Sequence, residues 1–309
     1  VVELWSSNPA GGWGVEIDAV GRGFRPEEIG DPPMGEAICG ADDAEWAPCY
    51  VDSEPVIYDK SRAVARLLIN SGGWAWWCTG WLAGWDGHLM TNQHCVENQT
   101  QAYGMNVEFM AEGATCDTNC ASPQGGLCPG STVAVWGTFI HGSYDYDYAI
   151  IKLPVDPSDT YGWFRIRPGG PIVDERIYLP NHSAGHGKLI AIYSDAYHDQ
   201  SGYTEVHRLD WGGCSPPGDP PRPGPDFTYF SDSLGGSSGS PVIGFSDHEV
   251  VGLHHCSYDT CTIASPNLGV PSHLVIADAG DHLPPGVLYG IFGDGFENAG
   301  TGSWSSAVP

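Results

Sequence analysis

Residues 236–255 read GSSGSPVIGFSDHEVVGLHH. A run of small residues, Gly236 to Pro241, is followed by two short apolar runs, SPVIGF and EVVGLHH, joined by a turn at SDHE. Two such runs flanking turn residues are the signature of paired antiparallel strands. Outward from this segment the pattern recurs. AVARLLI (63–69), GHLMTN (87–92), STVAVWGTFI (131–140), YAIIKLP (148–154) and GKLIAIYSD (187–195) read as short strands, and no long amphipathic helix or internal repeat interrupts them. With 43 Gly and 25 Pro in 309 residues, many turns are expected. The Pro/Gly-rich segment CSPPGDPPRPGPD (214–226) cannot form a central strand and is expected to be a surface loop. The fold class is all-β.

The formal net charge of -26, with only 12 Lys plus Arg, argues against nucleic acid and anionic lipid as partners and would attract cationic ones. No apolar run reaches the roughly 18 residues of a membrane span, so no membrane partner is expected. Ten cysteines at irregular spacings lack zinc-site pattern. They read as five disulfides formed in an oxidising compartment, so secretion is inferred from them and no metal is expected. The chain opens on Val and looks processed. Residues 1–38 read as an N-terminal extension or retained propeptide, 39–285 as the main domain, and 286–309 as a Gly/Ser-rich tail.

Gly236-Ser237-Ser238-Gly239-Ser240-Pro241 suits a serine nucleophile. The hydroxyl must stand on a tight turn, with backbone N–H groups facing the developing oxyanion. The amides of Gly236 and Ser238 are the expected donors. Alone, the run would serve equally well as a flexible turn. Two other segments raise its weight. CTGWLAGWDGHLMTNQHC spans Cys78 to Cys95 with His94 before the second cysteine, and a disulfide there would close a hairpin beside the histidine. Asp147 leads into the buried-looking run YAIIKL, where its carboxylate could hold the imidazole tautomer and stabilise the imidazolium. Asp145 competes for that role, two residues from the expected offset.

CTG…TNQHC, DYAIIKL and GSSGSP, in this order, resemble the His, Asp and Ser segments of trypsin-like (chymotrypsin-fold) serine proteases. The pattern is closest to bacterial lysyl endopeptidases and their glutamyl endopeptidase relatives, across roughly residues 39 to 295, where IFGDGFENAG resembles the family's closing segment. The resemblance implies two antiparallel six-stranded β-barrels with the active site in the cleft between them, and no cofactor. It implies a monomeric, secreted, bacterial endopeptidase acting on protein or peptide substrates through His94, Asp147 and Ser238. It also implies bridges Cys39–Cys261, Cys49–Cys116 and Cys78–Cys95, which leaves Cys120–Cys128 and Cys214–Cys256. Ser237 stands where trypsin carries the aspartate that pairs with its new N-terminus, so the oxyanion hole must be held by other means.

In such enzymes the residue six before the nucleophile, here Asp232, lies at the base of the specificity pocket. A carboxylate there would pair with Arg or Lys of the substrate, and this is the expected preference. The alternative is cleavage after Glu, read by His254 with Ser233 and Ser257. A further alternative is a turn-capping Asp232 that never meets substrate. The acidic residue that lysyl endopeptidases use falls near Pro266, against strict Lys preference. A catalytically silent binding module is the competing functional class. His182 and His186, in PNHSAGHGK, read as a solvated loop, and His255 as structural. Trp74, Trp76, Trp77, Trp81 and Trp85 read as barrel packing or an aromatic cleft wall.

Overall fold

A computed structural model describes residues 38–214, 222–257 and 266–288. The expected N-terminal extension and C-terminal tail lie, but for their inner ends, outside the described residues. So does Cys261, and with it the expected bridge to Cys39.

The chain builds two antiparallel sheets. A short strand β1 (Glu45–Trp46) joins the second of them, and a run of seven strands then forms the first: β2 (Val64–Ser71), β3 (Trp74–Ala83), β4 (His88–Thr91), β5 (Met105–Phe109), β6 (Ser131–Ala134), β7 (Thr138–Ser143) and β8 (Tyr148–Lys152). Their spatial order is β6-β5-β2-β3-β4-β8-β7. The second half adds β9 (Ile177–Asn181), β10 (Leu189–Ala191), β11 (Val206–Trp211), β12 (Asp226–Tyr229), β13 (Pro241–Gly244), β14 (Val250–Cys256) and β15 (Asn267–Pro271). With β1 these make an eight-stranded sheet ordered β1-β10-β9-β13-β14-β15-β12-β11. The two-layered all-β architecture agrees with expectation, while the sheets carry seven and eight strands instead of six each.

The register explains why these segments pair. β2 and β3 align from Val64↔Trp81 to Ser71↔Trp74, so Leu67 and Ile69 of β2 and Cys78 and Trp81 of β3 are buried. Trp81 meets Phe164 edge to face at 6.0 Å, and the main apolar cluster runs on to Ile243, Val250 and Leu253 of the second sheet. The expected single strand 131–140 is two strands. Trp136 and Gly137 break it, because the Gly137 N–H turns to the Ala102 carbonyl at 2.8 Å and a Cβ at Gly137 would lie 2.4 Å from Ile151. Val287 is buried and its carbonyl accepts the Ile166 N–H at 2.8 Å, so packed chain continues past the expected boundary at 285.

Four disulfides are present among the described residues: Cys49–Cys116, Cys78–Cys95, Cys120–Cys128 and Cys214–Cys256. Cys78–Cys95 spans 17 residues and ties the turn that carries His94 to β3. Closing a loop of that size constrains the unfolded chain by about 3 kcal/mol. No helix among the described residues is long and apolar enough to cross a membrane.

Candidate active site

His94 sits in the turn after β4, Asp147 in the turn before β8, and Ser238 in the turn before β13. β4 and β8 are paired neighbours, with Thr91↔Ala149 at the end of the ladder, so the first two turns emerge side by side. The Asn92 side-chain amide donates to the Asp147 carbonyl at 2.8 Å and locks the turns together. Asp147 has φ 44°, a left-handed conformation that Asp tolerates better than most residues. Asp145 is exposed in the same turn, so strand alternation does not put it on the Asp147 face.

The Asp147 side chain is fully buried. Its Oδ1 accepts the backbone N–H of His94 at 3.0 Å and its Oδ2 faces His94 Nδ1 at 2.8 Å. A carboxylate held by both backbone and ring of one histidine fixes that ring's orientation, and Nδ1–H donating to Oδ2 leaves Nε2 as the basic nitrogen. The His94 side chain keeps 23% of its surface exposed, so the ring is open to solvent while its carboxylate partner is not.

The serine turn docks on the same hairpin. Thr79 N–H donates to the Ser238 carbonyl at 2.9 Å, and Thr91 Oγ1 donates to the Thr79 carbonyl at 2.8 Å. Gly239 has φ 89°, and a Cβ there would fall 2.4 Å from Thr91 Oγ1 and 2.2 Å from the Thr79 carbonyl. Only glycine lets the two turns approach this closely. On the other side, Gly239 N–H donates to the His254 carbonyl and His254 N–H to the Ser240 carbonyl, both at 2.9 Å, so β14 lies along the serine turn.

The structure supplies the other means by which the turn is held without an aspartate at 237. Ser237 Oγ lies 2.7 Å from Ser183 Oγ and donates to Asn181 Oδ1 at 3.3 Å, while Ser183 Oγ also donates to Asn181 Oδ1 at 2.8 Å. Thr79 Oγ1 donates to the Gly236 carbonyl at 2.8 Å and Ala184 N–H to the Gly235 carbonyl at 2.6 Å. These bonds orient the peptide units on both sides of Gly236, the residue whose amide was expected in the oxyanion hole together with that of Ser238. His182, expected in a solvated loop, is completely buried in this support. Its N–H donates to Thr79 Oγ1, its Nδ1 pairs with the His186 carbonyl, and burial together with the charges of Lys188 and Arg66 holds its proton affinity well below that of an ordinary imidazole.

The pocket residues divide. Asp232 is buried, but its two oxygens accept the backbone N–H groups of Cys39 (2.8 Å) and Asp43 (2.5 Å). Burial raises its proton affinity and the two amides offset part of that, leaving it at about 6. These bonds tie it to the incoming chain. His254 is fully buried, with Nδ1 2.5 Å from Tyr229 Oη; Ser233 Oγ donates to Asn267 Oδ1 at 3.3 Å, and Ser257 is buried nearby in sequence. Among the tryptophans, Trp81 is core, whereas Trp74 and Trp85 are 63% and 46% exposed.

Two further residues reach Asp147: Arg222, which sequence reasoning missed, and His255, which it read as structural. Arg222, inside the segment expected to be a surface loop, is buried and its Nη1 donates to Asp147 Oδ2 at 2.6 Å. His255 places Nδ1 3.3 Å from Asp147 Oδ2 and Nε2 3.0 Å from Asp226 Oδ2. Strand alternation was the available signal for His255: next to His254 on β14, it must face the opposite way. Burial alone would push the Asp147 carboxyl up, but His94, His255 and Arg222 together hold it well below the usual carboxylate range. No group of three or more metal-ligating side chains is found among the described residues.

A family model described as "Trypsin-like peptidase domain" matches residues 78–253. The chain is 40% identical over 243 residues to "Secreted RxLR effector protein 73" of Plasmopara viticola, a match covering 79% of this chain and 55% of that protein. It therefore spans about half the length of that curated relative. Plasmopara viticola is not a bacterium, and the bacterial source implied by the resemblance finds no support. Among solved structures, the active form of the Rv3671c protease from M. tuberculosis superposes with TM-score 0.54 at 15% identity, covering 86% of this chain and 96% of that one. An HtrA-type protease with a tripeptide gives TM-score 0.50 at 12% identity, covering 73% of this chain and 62% of the other. These two likenesses are of fold alone.

Proposed function

We propose that this chain, which belongs to the trypsin-like peptidase domain family, is a serine endopeptidase that cleaves through an acyl-enzyme formed on Ser238. The observation that carries the reading is the double hold of Asp147 on His94, by backbone N–H and by ring Nδ1, beside a serine turn docked on the same hairpin. His94 Nε2 takes the Ser238 hydroxyl proton as Oγ attacks the scissile carbonyl. Asp147 stabilises the imidazolium, and the amides of Gly236 and Ser238 receive the oxyanion. The imidazolium then gives its proton to the leaving amine, and water, activated by the same imidazole, releases the acyl group. The chemistry calls on no cofactor. The four disulfides among the described residues, and a relative named as secreted, support action outside the cell; the substrates we propose are proteins or peptides.

For the residue before the scissile bond, we favour Glu over the Arg or Lys expected from Asp232. Both Asp232 oxygens accept backbone amides, which ties the carboxylate to the incoming chain at Cys39 and Asp43. His254, aligned by Tyr229 and strand-bonded to the serine turn, supports the acidic reading. The acidic surface would favour cationic substrates at long range, but salt screens that effect while the pocket acts in contact. Digestion of a denatured protein mixture, with cut sites read by mass spectrometry, tests both levels. Cuts after Glu are expected; cuts after Arg or Lys would restore the Asp232 reading, and no cuts at all would favour a silent binding module.

A further inference from the structure

Asp147 does more than a triad asks of an orienting carboxylate. One donor on Oδ2 suffices to hold the imidazole, yet here Oδ2 meets three: His94 Nδ1 at 2.8 Å, Arg222 Nη1 at 2.6 Å and His255 Nδ1 at 3.3 Å. Behind His255 stands a second carboxylate. Asp226, at the start of β12, accepts from His255 Nε2 at 3.0 Å and from the Cys214 N–H at 3.1 Å, both on Oδ2. Cys214 is tied to Cys256, the residue after His255, so the disulfide fixes the pair from both sides. Arg222 lies with its guanidinium 5.0 Å from the Tyr144 ring centre, in the turn that carries Asp147.

A neutral imidazole can donate from only one nitrogen. Both His255 nitrogens face carboxylate oxygens, which only accept, so the neutral ring would press a lone pair against an anion. The doubly protonated ring satisfies both contacts. His255 is buried, and so are its neighbours Asp147, Asp226 and Arg222, so water cannot take over either role. The buried charges then balance: two carboxylates against one imidazolium and one guanidinium, with His94 free to be neutral at rest.

We propose that His255 is a positioning residue, protonated throughout the working range, that joins the catalytic dyad to Asp226 and sets both the aim of Asp147 and the pH at which His94 becomes a base. The proposal rests on the triad reading above. Burial disfavours the cation, but the charge of Asp226 and the hydrogen bonds to both carboxylates outweigh it and raise His255 to about 9. The consequence for His94 follows from charge sharing. Asp147 divides its field between three cationic or proton-bearing partners, so a change at one of them is felt at the others. Removing the His255 charge leaves more of the Asp147 field to the His94 pair, so activity in the variant should rise only at higher pH.

The test is the pH dependence of fluorophosphonate labelling and of kcat/KM for a cleaved peptide, in the intact protein and in His255→Gln. Gln keeps a hydrogen-bonding side chain and carries no charge. The acid limb should move up by about half to one pH unit, with a lower plateau. A folded variant whose acid limb coincides with that of the intact protein would overturn the proposal, because a merely structural role lowers activity equally at every pH. Should His255→Gln fail to fold, long-range proton–nitrogen NMR of the intact protein at pH 8 decides. One histidine with both ring nitrogens protonated is expected, and its absence would overturn the proposal. If the intact protein neither labels nor cleaves, the protease reading fails, while the NMR signal still reports on His255.

Discussion

Asp147 and Asp232 are both buried aspartates close in sequence to β8 and to the serine turn respectively, and they end up in opposite states. Asp147 is surrounded by His94, His255 and Arg222, and its carboxyl is driven well below the ordinary range. Asp232 receives only the neutral amides of Cys39 and Asp43, and burial carries it up to about 6. Backbone dipoles satisfy a carboxylate's oxygens without fully compensating its charge; cations do both. The first aspartate is therefore equipped for electrostatic work on a histidine, and the second for holding chain.

Asp147→Asn should produce the largest effect. It removes the anion that stabilises the imidazolium and strands two buried cations. Turnover should fall by about a thousand- to ten-thousand-fold, with stability lower by about 3–5 kcal/mol. Steady-state kinetics beside a denaturant titration would measure both; a loss under tenfold would break the comparison.

The pH dependence of stability comes next. His255 in the fold, at about 9, stands above its unfolded value of roughly 6.5, so folding favours the protonated ring. Its contribution is complete below about pH 6.5 and is lost as pH rises through about 9, amounting to about 3 kcal/mol. Asp147 acts at the other end: its depressed carboxyl contributes above its unfolded value of roughly 3.9 and loses that contribution as pH falls below it. Asp232 has the reverse sign from Asp147, since its raised carboxyl favours the protonated fold and its contribution fades as pH rises through about 6. Melting temperatures across pH 4 to 10 should fall on the alkaline side in the intact protein and flatten there in a folded His255→Gln.

Asp232→Asn should be milder. One amide of the pair would confront an NH2 group, at about 1–3 kcal/mol, while on the proposed reading kcat/KM stays within about threefold. Collapse of activity on basic peptides alone would return Asp232 to the pocket. Asp145→Asn, exposed in the same turn as Asp147, should shift stability by less than about 0.5 kcal/mol and leave turnover unchanged.

What could be read in advance follows the range of the interactions. The β class, the hairpin before His94 and the serine turn are local patterns of apolar runs, glycines and cysteines. β3 was harder to see, because its first half, Trp74–Trp77, keeps exposed or half-exposed tryptophans that hide the alternation. β5, Met105–Phe109, alternates buried and half-buried residues but is too short to have been read as a strand. Arg222 was not legible: a Pro/Gly-rich segment signals a loop, and nothing local says that one of its side chains turns inward to a carboxylate 75 residues away. The bonds of Asp232 were not legible for a related reason. Its alignment with a pocket base is a matter of sequence position, whereas its partners, Cys39 and Asp43, come from chain almost two hundred residues earlier.

The proposed chemistry requires that Ser238 be a nucleophile activated by His94. Intact protein should be treated with a fluorophosphonate at several pH values and the adduct located by mass spectrometry. A single adduct on Ser238 is predicted, forming faster as pH rises through neutrality, absent in Ser238→Ala and strongly slowed in His94→Ala. An unlabelled protein, or an adduct on another residue, would contradict it.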